Sequence, residues 1–196
     1  MGKLFLFMNI SLDGYIADRN HDTAIFHHRD HEFEAFQQKE GKGAGTILLG
    51  RKTYDIMKQF WPTDMAAQMI PDVAAYMNAT PKLVVSHTAF TPEWENTTVI
   101  NTAVVEQLRQ YKANAVEDII VLGSNNLGVT LMQAGLIDEI QIVLNPIVLG
   151  GGTPLFTGLP QATDLVLQET RQFKSGKLLL IYASFPAQLS SLAGLR

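Results

Sequence analysis

Three short stretches of this sequence place glycine, cations and hydroxyls just where an apolar run stops. Gly50-Arg51-Lys52-Thr53 follows Ile47-Leu48-Leu49, Ser86-His87-Thr88 follows Leu83-Val84-Val85, and Gly123-Ser124-Asn125-Asn126 follows Ile119-Ile120-Val121-Leu122. A short apolar run that breaks at glycine or serine reads as a buried strand running into a loop. Where such a loop opens a helix, the free N–H groups of the first turn and the helix dipole favour an anion, and nearby Arg or Lys adds to the attraction. Gly50 and Gly123 both precede helical patterns, so the chain offers two phosphate sites. Ser86-His87-Thr88 adds hydroxyls and an imidazole at the same level. Two separated phosphate sites with a polar third suit a dinucleotide. A free 2′-phosphate favours the extra cations and hydroxyls, so NADP(H) is expected over NAD(H). Arg51 and Lys52 also admit a plainer reading as a solvated first turn, although cations there oppose the dipole and ask for a reason.

Other reactive groups are fewer. Asp13 lies in Ser11-Leu12-Asp13-Gly14, directly after an apolar run, where it could bind a ligand or serve as an acid; an Asp-Gly turn former has the same signature. Tyr54, Phe60 and Trp61 could wall an aromatic pocket or belong to the core. No Gly-x-Gly-x-x-Gly follows the first strand, and Gly150-Gly151-Gly152-Thr153 lacks the lysine and helix of a Walker motif. His27, His28, Asp30, His31 and Glu32 crowd together without regular ligand spacing and read as a solvated loop, so no metal is expected. The chain has no cysteine, which excludes disulfides, thiolate nucleophiles and Cys-based metal sites.

Apolar residues make up 46% of the 196, charged ones 17%, and the formal charge is -4. That composition specifies a globular chain and argues against nucleic acid or an anionic membrane as the main partner, so any anion site must be a local cluster of cations. The apolar start is broken by Asn9 and carries no small-residue cleavage pattern, and no run reaches the roughly 20 residues of a spanning helix. A soluble cytoplasmic protein that binds a small molecule is expected.

The positioning elements follow from periodicity. Lys3–Ile10 reads as a strand buried on both faces, His31–Lys39 as an amphipathic helix, and Thr46–Leu49 as a strand. Thr53 is a candidate helix cap, with Thr53–Phe60 as a helix ended by Trp61-Pro62. A weaker helix spans Met65–Ala79, with Pro71 at its start or at an interruption. Strands Lys82–Ser86 and Thr97–Ile100, helix Ala103–Lys112, strand Asp118–Leu122 (the most purely apolar), helix Leu127–Gly135 and strand Glu139–Leu144 come next. Gly150-Gly151-Gly152 reads as a flexible turn, and Leu165–Phe173 with Lys177–Ser184 reads as a hairpin. Strands alternate with helices to about residue 145, which implies an α/β fold with a mostly parallel sheet and an antiparallel C-terminal portion. One domain is expected over residues 1–196, with its core at 3–184 and a tail at 185–196.

Five segments occur in order: Ser11–Ala17 (SLDGYIA), Leu49–Tyr54 (LGRKTY), Val121–Ser124 (VLGS), Leu136–Glu139 (LIDE) and Pro146–Phe156 (PIVLGGGTPLF). Together they resemble the dihydrofolate reductase-like proteins related to the reductase domain of bifunctional riboflavin biosynthesis enzymes. The resemblance implies a central mixed sheet of about eight strands, an antiparallel C-terminal strand, flanking helices, and NADPH bound across the strand ends. It implies that Gly50, Arg51, Lys52 and Thr53 hold cofactor phosphates and that Ser86, His87 and Thr88 lie by the 2′-phosphate. Gly123 and Ser124, with Asn125, Asn126 and Leu127, would cradle the pyrophosphate, while Ile16 and Ala17 line the nicotinamide. Asp13 would lie in the substrate pocket, with Asn9, Ser11 and Trp61 as further substrate contacts. The activity implied is hydride transfer to a C=N or C=O of a small pterin- or ribosylaminopyrimidine-like heterocycle, with the proton from Asp13 or a water it orders. Glu32 and Glu34 fall near the first-helix carboxylate that grips the pteridine in dihydrofolate reductases. A homodimer is implied as well. The alternative is a non-catalytic NADP(H)- or pterin-binding protein of the same fold.

Overall fold

The first apolar run, Leu4–Ser11, is strand β1 and lies in the middle of an eight-stranded sheet. The computed structural model describes residues 2–26, 30–40 and 44–184, with the backbone alone at 37–40. The expected tail at 185–196 and two of the histidines, His27 and His28, therefore lie outside the described residues. After β1 come β2 (Tyr15–Ala17), a 3-10 turn (Ala24–Phe26), α1 (His31–Glu40), β3 (Ala44–Gly50), α2 (Arg51–Met57), α3 (Asp64–Met69) and α4 (Pro71–Ala79). Then follow β4 (Lys82–Val85), β5 (Thr97–Ile100), α5 (Val104–Asn114), β6 (Asp118–Val121), α6 (Asn125–Gln133) and β7 (Glu139–Asn145). The chain closes with β8 (Thr153–Pro154), β9 (Leu165–Gln172) and β10 (Leu178–Ser184).

The sheet order is β5-β4-β3-β6-β1-β7-β10-β9. The pairs from β5 through β7 are parallel, and β10 runs antiparallel to both β7 and β9. This is the mostly parallel sheet with an antiparallel C-terminal portion that the sequence pattern implies. β6 inserts between β3 and β1, although β4 and β5 intervene in the chain. That insertion sets the carboxyl ends of β4, β3, β6 and β1 side by side on one edge, where open α/β sheets bind ligands.

The two faces of the sheet are covered differently. On one, Leu4, Leu6 and Met8 join Ile119, Val121, Ile140 and Ile142 in a continuous core with Leu108 of α5 and Leu127 and Leu131 of α6. On the other, two separate clusters form. Ile47, Leu49 and Val84 pack with Tyr54, Met77 and Trp94 beside α2 and α4. Val143, Phe173 and Leu179 pack with Phe33 of α1. Between these clusters Phe5, Phe7 and Asn9 of β1 and Ile120 and Leu122 of the β6 run stay half-buried. The expectation that β1 is buried on both faces is corrected accordingly. Its residues alternate between full and partial burial because the helices stand over the flanking strands and leave a strip between them.

Helix boundaries also shift. α2 starts at Arg51, with Gly50 as its N-cap, so Thr53 lies inside the first turn and does not cap it. The single helix expected over Met65–Ala79 is two, because Pro71 lacks an N–H and opens α4 afresh. α6 starts at Asn125, ahead of the expected Leu127. Asp138 of the Leu-Ile-Asp-Glu segment is structural: its carboxylate accepts the Leu4 N–H at 2.8 Å and the Lys112 ammonium at 2.6 Å.

Lys82 illustrates how a cation is buried here. It is 1% exposed, and its ammonium donates to the carbonyls of Met77 (2.9 Å), Asn78 (3.2 Å) and Thr80 (2.8 Å) while sitting 4.6 Å from the Trp94 ring centre. It thereby satisfies the last carbonyls of α4, which have no helical partner. Lys82→Met should remove all three bonds and lower stability by about 2 kcal/mol, seen as a lower urea midpoint with an unchanged slope.

Candidate active site

The site is built around two glycines at neighbouring strand ends. The Gly50 N–H donates to the Gly123 carbonyl at 2.7 Å. A methyl group on Gly50 would stand 2.8 Å from Ser124 Oγ, and one on Gly123 would stand 2.9 Å from Thr53 Oγ1. Both distances are too short for carbon, so the strand ends meet this closely only because neither residue carries a side chain. Gly123 also needs its φ of +125°, and the peptide bond that follows it is cis.

Each glycine loop opens a helix that no side chain caps: Gly50 precedes α2 and Ser124 precedes α6. By contrast, Asp30 and Thr63 accept N–H bonds at the starts of α1 and α3. The first-turn N–H groups of α6, from Asn125, Asn126 and Leu127, therefore have neither a helical acceptor nor a cap. Leu127 can contribute only its N–H, because its side chain lies in the core. Asn126 is exposed, and Asn125 Nδ2 donates to the Pro154 carbonyl at 3.1 Å.

Arg51 shows why a cation tolerates the first turn of α2. Its Nε donates to Asp55 Oδ2 at 2.7 Å, and its guanidinium lies 3.6 Å from the centre of the Phe90 ring. The carboxylate four residues on offsets the unfavourable dipole, and the ring fixes the guanidinium plane while leaving the terminal nitrogens for a ligand. Lys52 is exposed beside it, and Thr53 faces Gly123. Ser86 is buried in a turn, its hydroxyl donating to the Thr88 carbonyl (2.7 Å) and accepting the Thr88 N–H (3.2 Å). That leaves His87 and Thr88 exposed on the loop that leads to Phe90. Asp55 has a readable signal, its i,i+4 spacing from Arg51; Phe90 has none in the sequence.

The loop after β1 and the loop after β7 are stitched into one rim. Asp13 accepts the Ser11 hydroxyl at 2.6 Å and the N–H groups of Leu149 and Gly150 at 3.1 and 2.7 Å. β2 pairs antiparallel with β8, and Arg19 donates to the Gly150 carbonyl at 2.9 Å. A methyl on Gly152 would fall 2.0 Å from the Ala17 carbonyl oxygen. The triple glycine read as a flexible turn is thus the tightly fitted half of a clamp, with φ values of +65°, +156° and +148°. Ile16 is half-buried against the core, and Ala17 is buried and pairs with Thr153. The Ser11 hydroxyl first, then the two backbone N–H groups, hold the Asp13 carboxyl down to about 2. Asp13 is ionised at neutral pH and has no proton to give; its geometry is that of a loop clamp.

The remaining candidates separate. Asn9 lies on the strip of sheet left between the helix-covered clusters. Ser11, expected as a substrate contact, is instead fully buried, its hydroxyl donating to Asp13 and accepting the Tyr15 N–H at 2.9 Å. Trp61 packs edge-on to Phe60 (5.1 Å between ring centres) against the α2–α4 cluster. Tyr54 is core: it is fully buried and its oxygen accepts the N–H groups of Glu93 and Trp94 at 3.0 Å each. Glu32 accepts the Lys174 N–H at 3.0 Å on the β9–β10 turn, and Glu34 pairs with His31 at 3.3 Å. The same turn is held by Ser175, which hydrogen-bonds Asp30. Both glutamates are thus engaged within the protein. Among the described residues no group of three or more His, Asp or Glu could hold a metal ion, and no helix is long and apolar enough to cross a membrane.

This geometry has relatives. The family model for the RibD C-terminal domain matches residues 2–179. The uncharacterized protein YyaP of Bacillus subtilis (strain 168) is 30% identical over 182 residues, which cover 92% of this chain and 94% of YyaP. Among solved structures, a protein from Shewanella sp. PV-4 named for riboflavin biosynthesis superposes with a TM-score of 0.72 at 21% identity, over 93% of this chain and 98% of that one. The dihydrofolate reductase of Enterococcus faecalis, complexed with NADP(H), superposes with a TM-score of 0.59 at 14% identity, over 93% of this chain and 96% of that one. The fold is dihydrofolate reductase-like.

The clamp predicts its own pH behaviour. A carboxyl depressed in the folded state stabilises the clamp fully above its ordinary range near 4, and that contribution is lost as the pH falls toward 2. Hydrogen exchange at the Leu149 and Gly150 amides, corrected for intrinsic rates, should therefore keep constant protection from about pH 5 to about pH 9. Asp13→Asn should weaken that protection equally at every pH in this range.

Proposed function

We propose, since this chain belongs to the RibD C-terminal domain family, that it is an NADPH-dependent reductase of the riboflavin-type and dihydrofolate reductase-like kind. Its substrate is a small pterin- or pyrimidine-like heterocycle with a reducible C=N or C=O. The observation that carries this reading is the pair of uncapped helix starts joined through Gly50 and Gly123, with Arg51 held flat on Phe90 beside them.

The residues present fit the cofactor. The close glycine contact keeps side chains out of the space between the two helix starts, as a pyrophosphate lying against backbone N–H groups requires. Arg51, Lys52 and Thr53 would hold phosphate oxygens from the α2 side, and Ser124, Asn125, Asn126 and Leu127 from the α6 side. His87 and Thr88, exposed and adjacent to Phe90, suit the 2′-phosphate. When bound, NADPH supplies a hydride; the protein supplies orientation and exclusion of water. Ile16 and Ala17 lie on the rim that Asp13 fastens, so the clamp sets the wall against which the nicotinamide would rest. With Asp13 ionised, the balancing proton comes from water.

A second reading is favoured by one observation: Glu32 is engaged by the Lys174 N–H and Glu34 by His31. A protein that binds NADP(H) without turnover would need no carboxylate to grip a pteridine. The two readings separate in a spectrophotometric assay of NADPH oxidation with dihydrofolate, ribosylaminopyrimidinone and small carbonyl compounds. Oxidation with at least one heterocycle is expected, and NADPH binding without any turnover would favour the second reading. Arg51→Ala should weaken NADPH and NADH alike, by about tenfold or more, measured by calorimetric titration, because a charge-assisted contact to the shared pyrophosphate is lost. Gly50→Ala should weaken both cofactors, since its added methyl fills the space beside Ser124.

A further inference from the structure

Asn145 closes β7 and is 4% exposed. Its Nδ2 donates to the carbonyls of Val143 (3.0 Å) and Ile10 (3.1 Å) and lies 3.2 Å from Asn9 Oδ1. Backbone carbonyls only accept, so the Asn145 atom facing them is the nitrogen, and this settles the orientation of its amide. The Asn9 atom facing that nitrogen is in turn the oxygen. What remains over is one acceptor, Asn145 Oδ1, and one donor group, Asn9 Nδ2.

Neither of these atoms has a protein partner among the described residues, and none of the sealed side-chain polar atoms there lacks a partner. Both atoms therefore open to the surface. Their place is defined by register: Asn9 stands opposite Val143 and Ser11 opposite Asn145. Both amides thus lie toward the carboxyl ends of β1 and β7, on the face that carries α1 and α2, beside half-buried Phe7. A nearly buried carboxamide with one end unpaired is expensive unless a ligand or water completes it.

We propose that Asn9 and Asn145 form a donor–acceptor pair that reads the planar amide edge of a bound ring, an N–H beside a C=O. The inference rests on the reductase reading for the presence of two rings in this region. The edge has two sources: the lactam of a pyrimidinone or pterin substrate, and the carboxamide of the nicotinamide. An Asn pair of fixed polarity selects such a ring against an isostere that lacks the edge, because the mismatched ligand leaves both amides unpaired.

The test uses the full chain, Asn9→Asp, and calorimetric titration. Asn9→Asp keeps an oxygen toward Asn145 but replaces the outward donor by an acceptor; Asn9→Ala takes its place if the first variant does not fold. Probes are 6,7-dimethyllumazine against 2,3-dimethylquinoxaline, which has the same outline without the amide edge, and NADP⁺ against its 3-acetylpyridine analogue. Wild type should prefer lumazine over quinoxaline, or NADP⁺ over the analogue, by about tenfold or more, and the variant should lose that preference. Loss in the first pair assigns the edge to the substrate lactam; loss in the second assigns it to the nicotinamide. Wild type without either preference, or a variant that keeps it, overturns the inference. Binding of 2′,5′-ADP, which carries no amide edge, reports on the phosphate cradle separately. If wild type binds 2′,5′-ADP but ignores amide edges, the pair fails while the reductase reading stands; if it binds neither 2′,5′-ADP nor NADPH, that reading fails.

Discussion

The carboxyl ends of β3 and β6 meet through two glycines, and the placement of the two helix starts follows from that contact. Gly50 donates to Gly123, Thr53 fits where a Gly123 side chain would be, and Ser124 fits where a Gly50 side chain would be. Two helices therefore start next to each other with their unpaired N–H groups toward the same edge. A methyl group on Gly50 would press on Ser124, and one on Gly123 on the Thr53 side chain. The topology supports the contact, because β6 returns between β3 and β1 after the chain has already built β4 and β5.

Charge around this edge is local. With a net charge of -4, the chain as a whole does not attract anions, and most described cations are engaged elsewhere: Lys112 with Asp138, Lys58 with Glu93, Lys82 with three carbonyls. Arg51 is paired as well, but through Nε alone and with its plane held by Phe90, a geometry that orients the guanidinium without saturating it. The same economy of contacts holds on the opposite side of the site. Asp13 accepts three donors and acts on the rim as a fastener for the Gly150–Gly152 turn.

The half-buried strip of β1 and β6 is the counterpart of these edges. Helices cover the sheet face in two patches, and the strands between them keep aromatic and amide side chains open. An apolar floor with a few placed polar atoms is the usual form of a small-molecule site. Asn9 and Asn145 are the polar atoms here, and they come from strands that are neighbours in space and far apart in the chain.

Much of this was legible in residue order. Strand–glycine–helix junctions at Gly50 and Gly123, the polar stop at Ser86, the alternation of strands and helices to about residue 145 and the C-terminal hairpin are local patterns, set by a few consecutive residues. Five motifs in order carried the family resemblance. Pro71 marked a helix start, but its pattern did not choose between a start and an interruption; the backbone did. What the sequence could not hold were relations between distant segments. Asp13 reads equally as acid or turn former until Leu149 and Gly150 donate to it, and nothing local singles out Asn145 until Asn9 lies beside it. Glu32 turned to the β9–β10 hairpin for a similar reason, since the fold alone brings Lys174 within reach. An apolar run states that a strand is buried, whereas which of its faces is covered depends on where helices from elsewhere in the chain come to rest. Local chemistry thus determined the strand ends and the groups they carry; tertiary packing decided which of those groups are spent on holding the fold and which remain open to a ligand.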